Sequence, residues 1–474
     1  MVFNSYIFIF AYLPLFMAGL YILMKSTKDE DKRRSDLSFY LMATSLAFFA
    51  FAGLRSFIVF LISLLVNLLI GRLLAYHRSK VLFIFGVVLN ILAVYFFRQS
   101  SFFALAVSFY SFSQIWFLKE IYSGRVSAFT ISDYLLSMTY FPKLLQGPIV
   151  RFSDMRDRLE SSGVFRGKPV SGESFLRAVF LFVMGLSKKV LLADIYAGGV
   201  SYVYDNVPGL SAYNAFLGAI LYSLQIYFDF SAYCDMGLAL AMMMGVELPI
   251  NFNKPYKARN IDDFWKRWHI SLTSFLTDNV YIPLGGNRKG RIRTYINFLI
   301  VFFVSGLWHG RGINFIIWGM LHGFLYVIVR AIREMRGTRP VMPRVPAVIL
   351  TFLYVSLAWV FFRAADPGNA FDLIGAIIRN PSFALSRDFL EAFMIDELWF
   401  VIKVTPLAHM AVGSYICLYL FLIAGLFLAF CRRNAYDYAR TMKINGAKGV
   451  IFGILFVWCV IRFGEVSTYI YSGF

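Results

Sequence analysis

Residues 251–310 read NFNKPYKARNIDDFWKRWHISLTSFLTDNVYIPLGGNRKGRIRTYINFLIVFFVSGLWHG: the most polar long stretch of an oily chain, then an apolar run ending at His309. Two of the five histidines, His269 and His309, fall inside it. From Thr294 the chain reads TYINFLIVFFVSGLWHG, turns at Gly310, Arg311 and Gly312, and returns as GINFIIWGMLHGFLYVIVR before Arg330, Arg333 and Arg336. Back-to-back apolar runs closed by cations predict a pair of membrane helices whose return ends in the cytoplasm. At about 1.5 Å per residue the outgoing run reaches only about 24 Å, which sets His309 deep and farther from the cytoplasm than His269.

The same reading extends to the whole chain. Of its 474 residues 59% are hydrophobic and 15% charged, more apolar side chain than a soluble core of that length could bury. Runs long enough to cross about 30 Å of hydrocarbon recur at 1–24, 37–54, 81–97, 101–118, 206–228, 312–329, 346–362 and 404–430. The alternating pattern of a β-barrel is absent, so the spans are expected to be helices. The formal charge of +19 does not point to nucleic acid, because Lys and Arg sit in short connections where cytoplasmic retention accounts for them. Uncharged residues 1–24 followed by Lys25, Lys28, Lys32, Arg33 and Arg34 orient the N-terminus outward. No basic segment precedes that first run, which therefore reads as a retained anchor and not a cleaved signal peptide. Cys234, Cys417, Cys431 and Cys459 lie in or beside apolar runs without close pairing, so packing is their expected role, with no zinc site or disulfide framework.

Several interruptions carry more information than the spans. Residues 134–151, YLLSMTYFPKLLQGPIVR, contain Pro142, Lys143, Gln146, Gly147 and Pro148 and predict a broken or re-entrant helix, with an interfacial loop as the alternative. Lys188 and Lys189 read as cytoplasmic charges on a solvated face, where they can also meet anionic lipid. Asp229 and Asp235 stand among apolar neighbours, where a carboxylate costs at least about 2.5 kcal/mol and needs a base, a proton or water. Asn260 is a good helix N-cap, and Asp262 and Asp263 suit the positive end of the dipole. Counted by 3.6, Ile261, Trp265, Trp268, Leu272, Phe275 and Leu276 share one face of a helix with His269 at its edge. Residues 283–293, PLGGNRKGRIR, lack P-loop spacing and read as a basic turn. His322, beside Gly319 and Gly323, reads as a close-packing histidine with a hydrogen bond, and His77 and His409 receive no role.

The motifs QGPIVR (146–151), YFDFSAYCDMG (227–237), NFNKPY (251–256), FWKRWHISLT (264–273), YIPLGGNRKG (281–290), SGLWHG (305–310), WGMLHG (318–323) and WVFFRA (359–364) together resemble the membrane-bound O-acyltransferase family. The alginate O-acetylation branch is the nearest in pattern, from the opening MVFNSYIFIFAYLPL to the closing YIYSGF. The resemblance implies a single all-α integral membrane domain over residues 1–474, with roughly 10 to 13 membrane helices plus re-entrant segments around a central tunnel. It implies catalytic roles for His309 and His269, and substrate contacts for Trp308, Trp265, Asn253, Lys254, Arg267 and Gln146. It implies an inner-membrane location, no bound cofactor or metal, and an acyl thioester such as acetyl-CoA as donor. The acceptor it implies is an exported polysaccharide, reached with a periplasmic or surface acetyltransferase partner. Residues 278–280, DNV, depart from the branch's DY-containing pattern, and Ser274, Phe275 and Thr277 replace its tryptophan and arginine surroundings, which bears on substrate and partner fit.

The chemistry of the residues agrees. Acyl transfer to a hydroxyl needs a base for the hydroxyl proton, and a neutral imidazole, favoured by desolvation, can supply it. D-alanyl transfer onto teichoic acid is the neighbouring alternative. A lipid or polysaccharide transporter is the alternative from another class, but the paired broken helices and repeat symmetry it predicts are not seen in the sequence.

Overall fold

The structure is a computed structural model that describes residues 1–26, 29–98, 103–337, 341–405, 412–465 and 468–470. Among them there are helices and turns and no strand. His409 and most of the closing YIYSGF lie outside the described residues. Nine described helices are long and apolar enough to cross a membrane: Phe8–Ser26, Leu54–Tyr76, Lys80–Phe97, Ala212–Met243, Arg291–His309, Ile313–Arg336, Arg344–Arg363, Val412–Ala429 and Gly446–Gly464. Glu30–Ala50, Val107–Tyr122 and Gly172–Lys188 are helical as well, and fall short by length or charge. The chain forms two compact units, one of Met1–Ser187, Ala232–Asn251 and Ala435–Phe474, the other of Lys188–Ser231 and Phe252–Asn434.

In the first unit, apolar helices are specified by the polar groups they share. Asn90 Nδ2 donates to Asn67 Oδ1 at 2.7 Å, and Asn67 Nδ2 and Ser63 Oγ both donate to Gln114 Oε1, at 2.9 and 2.8 Å. Each amide satisfied in this way avoids the cost of an unpaired polar group in hydrocarbon, so the three helices register on one another. The sequence around Pro142 behaves as a broken helix and not as an interfacial loop. Helix stops at Thr139, resumes for one turn at Phe141–Leu144, and gives way to irregular backbone before Phe152. Residues 140–150 are all buried, so protein surrounds the break. Gly147 is required there, since a Cβ would stand 2.4 Å from Lys143 Cα.

In the second unit, two expectations are corrected. Lys189 faces neither solvent nor lipid: it is fully buried, with its Nζ 2.9 Å from Asp194 Oδ1 and 2.7 Å from Asp229 Oδ1. An apolar helix that carries Asp229 inward must bring a cation with it, and Lys189 is that cation. Likewise, residues 260–276 are not one helix but two short ones, Ile261–Trp265 and Ile270–Leu276. Asn260 does cap the first, its side chain accepting from Asp263 N–H at 2.9 Å. Continuation fails because the Arg267 carbonyl accepts from Asn253 N–H at 2.9 Å, where an unbroken helix would have it accept from residue 271. His269 lands in the resulting corner with φ 44° and ψ 54°, a left-handed conformation a side-chain-bearing residue rarely adopts.

The predicted hairpin of Arg291–His309 and Ile313–Arg336 is present. Its helices meet backbone to backbone: a Cβ on Gly319 would lie 2.4 Å from Phe302 O. At its polar end Tyr295 and Arg330 both donate to Glu334, each at 2.8 Å. Asn314 Nδ2 reaches Phe361 O and Ala364 O at 3.1 and 2.9 Å, tying the hairpin to Arg344–Arg363.

Candidate active site

His309 closes its helix at 2% exposure, and His269 is fully buried. Both belong to the second unit, and Trp308 links them: its ring lies 4.4 Å from that of His309 and 6.3 Å from that of His269. His269 also meets Phe230, in a T-shaped contact at 4.8 Å. Phe230 follows Asp229, so the Lys189 ion pair fixes the register of the helix that presents it. His309 is enclosed further by Trp318 at 4.8 Å and Phe362 at 5.1 Å, both edge-on. Such apolar aromatic walls keep water away from the His309 ring. Burial pushes the His269 imidazole down to about 3, so it is uncharged at neutral pH.

A short helix is held to the hairpin by one carboxylate. Asp262 accepts from Tyr326 at 2.9 Å, Lys266 at 2.8 Å and Arg333 at 2.7 Å. Burial alone would raise its pKa, but these partners together hold the carboxyl below its ordinary value. The clamp sets Trp265, whose ring packs on Phe302 at 5.4 Å and on Trp318 at 5.9 Å. Asp262 was expected only to complement the helix dipole.

The other substrate-contact candidates divide. Trp308 and Trp265 are walls of this cage. Asn253 and Arg267 make a separate bracket through their main chains, with the Arg267 guanidinium turned to Asp263 Oδ1 at 2.7 Å and Asn253 O at 3.3 Å. Lys254, also left-handed at φ 52°, extends its amine to Arg432 O at 3.5 Å. Gln146 belongs to the first unit, where its carbonyl accepts from Cys234 Sγ at 3.7 Å. Among the described residues no three His, Cys, Asp or Glu side chains are grouped so as to hold a metal ion. Phe230, Trp318 and Phe362 escaped sequence reasoning. The one available signal was spacing, since Trp318 and His322 lie four apart on one helical face.

A model of MBOAT, the membrane-bound O-acyltransferase family, matches residues 74–365. A peptidoglycan O-acetyltransferase of Helicobacter pylori is 33% identical over 429 residues, covering 80% of each chain. A probable alginate O-acetylase, AlgI, of Pseudomonas aeruginosa is 32% identical over 82% of this chain and 76% of its own. A teichoic acid D-alanyltransferase of Streptococcus thermophilus is 28% identical over 54% of this chain and 68% of its own.

Proposed function

This chain belongs to the membrane-bound O-acyltransferase family, and from that premise we propose that it moves an acetyl group from a thioester donor to hydroxyls of an exported glycan. It is a multi-pass membrane O-acyltransferase; the acetyl group, the donor, the acceptor and an inner-membrane site are the finer reading. Family membership sets a transporter without acyl chemistry aside. The observation that carries the reading is the pair of buried imidazoles, His269 and His309, both packed against Trp308 in one unit.

In this reading His309 is the general base. Its neutral ring takes the acceptor hydroxyl proton as the oxygen attacks the acyl carbonyl, and returns that proton to the departing thiolate, so that ester and thiol are the products. A well-placed base contributes about 10²- to 10⁴-fold, and the aromatic walls supply orientation and exclusion of water. His269, held uncharged, positions the donor or polarises its carbonyl through a ring N–H. Trp308 and Trp265 wall the reacting groups, and Asn253, Lys254, Arg267 and Gln146 contact more distant parts of the substrates. Acetyl is favoured over D-alanyl because the O-acetylating relatives match about four fifths of this chain and the D-alanyl relative about half.

The test is His309→Ala in the native host, with ester-linked acetate on the exported polymer as readout. Loss of ester at unchanged protein level and unchanged polymer export supports the reading. Undiminished ester ends it.

A further inference from the structure

His322 was expected to hydrogen-bond across a helix contact, and the structure does not show that bond. The ring is fully buried, yet neither of its nitrogens has a hydrogen-bond partner among the described residues. Its neighbours repeat the pattern. Trp265 and Trp318 pack edge-on against it at 5.2 and 5.1 Å and lie 5.9 Å from each other, and the indole N–H of each is likewise unmatched. The Tyr354 hydroxyl, on a ring 6.2 Å from that of His322, is already used, since it donates to Leu321 O at 2.7 Å. A buried polar group left unpaired costs about 1–3 kcal/mol, so three in mutual contact are a poor way to pack helices.

The chemistry of the missing partner follows from the groups present. A neutral imidazole offers one donor and one acceptor, and each indole offers a donor only. The triangle is therefore rich in uncharged donors and calls for an oxygen acceptor. Trp318 belongs to this triangle and also walls His309 at 4.8 Å, so what binds here lies beside the reacting centre.

We propose that His322, with the indole N–H groups of Trp265 and Trp318, forms a hydrogen-bonding subsite for a carbonyl oxygen of the acyl donor. This rests on the acyl-transfer reading above. The subsite orients the donor next to His309, and neutral donors in a water-excluded site lose little to reorganisation.

The experiment uses the full chain purified in nanodiscs, with turnover of an acetyl thioester and, separately, thermal stabilisation by a non-reactive ketone analogue of that donor, in which a CH2 replaces the thioester sulfur and the carbonyl oxygen is kept. His322→Phe keeps the ring volume and removes both nitrogens; His322→Gln keeps a donor and an acceptor. Expected for His322→Phe are an unliganded melting midpoint at or above that of the parent, loss of analogue stabilisation, and about tenfold or lower kcat/KM. His322→Gln recovers part of both. The proposal is overturned if His322→Phe binds the analogue or turns over as the parent does, or if its unliganded midpoint falls, which would make the nitrogens structural. His309→Ala in parallel separates the two readings: it should lose turnover and keep analogue stabilisation, and if it still makes ester the acyl-transfer role of His309 fails whatever His322 does.

Discussion

The ring of Trp308 lies 6.3 Å from that of His269, inclined at 66°, although one closes a long apolar helix and the other sits in a corner between two short ones. Trp308 is also the chain neighbour of His309, so a single indole sets the spacing of both imidazoles. Trp308→Phe should retain measurable acyl transfer because a ring still packs against both. Trp308→Ala should lose about 10²-fold in kcat/KM, a cost typical of a small misplacement of reacting groups. Steady-state kinetics on both variants, at matched melting midpoints, checks this.

His269 is held neutral by burial, with its pKa near 3. Between about 3 and the ordinary value near 6.5 the unfolded chain binds a proton the native chain refuses, so native stability falls as pH drops through that window. His269→Gln should flatten the corresponding loss of melting midpoint between about pH 7 and pH 4. The same variant should lower the height of the activity profile above about pH 5 without moving its inflections, because His269 does not titrate there.

Asp262 gathers Tyr326, Lys266 and Arg333, and through them docks the Ile261–Trp265 helix on the hairpin. Asp262→Ala should destabilise by about 1–3 kcal/mol, tempered by the exposure of its two cationic partners. The loss of activity should exceed the loss of stability, because Trp265 is released along with the helix. Because the folded pKa is depressed, the carboxylate's contribution is full above the ordinary carboxyl range and lost as pH falls below it. Thermal unfolding of parent and variant from pH 7 to pH 3 should converge at the acid end.

Lys143, in the broken helix of the first unit, is 5% exposed and borders a cavity of about 10 Å³ shared with Tyr110 and Ser113, room for about one water. Burial pushes its amine down to about 8 from an ordinary value near 10.5. Between those values the unfolded chain holds the proton more firmly, so stability rises with pH across the window. Lys143→Met should stabilise the protein at neutral pH, by about 1–4 kcal/mol if the methionine packs well, and remove that rise. Melting midpoints at pH 7 and pH 10 decide it.

How much of this was legible beforehand depended on the range of the interaction responsible. Apolar runs and cations at their ends determined the helical membrane class and the hairpin that carries His309, because hydrocarbon thickness and backbone hydrogen bonding are local constraints on a stretch of chain. The motifs containing His269 and His309 could be picked out for the same reason, residue by residue. What only the tertiary structure decided was long-range. The Asn253 amide takes the Arg267 carbonyl and so ends a helix that periodicity alone would continue, turning His269 into a buried left-handed corner. Lys189, which charge pattern sends to a solvated cytoplasmic face, is drawn inside by Asp194 and Asp229. The cage of Phe230, Trp308, Trp318 and Phe362 is assembled from separate helices, and no one-dimensional pattern records which ring will face which, since packing chooses partners by shape in three dimensions and not by spacing along the chain.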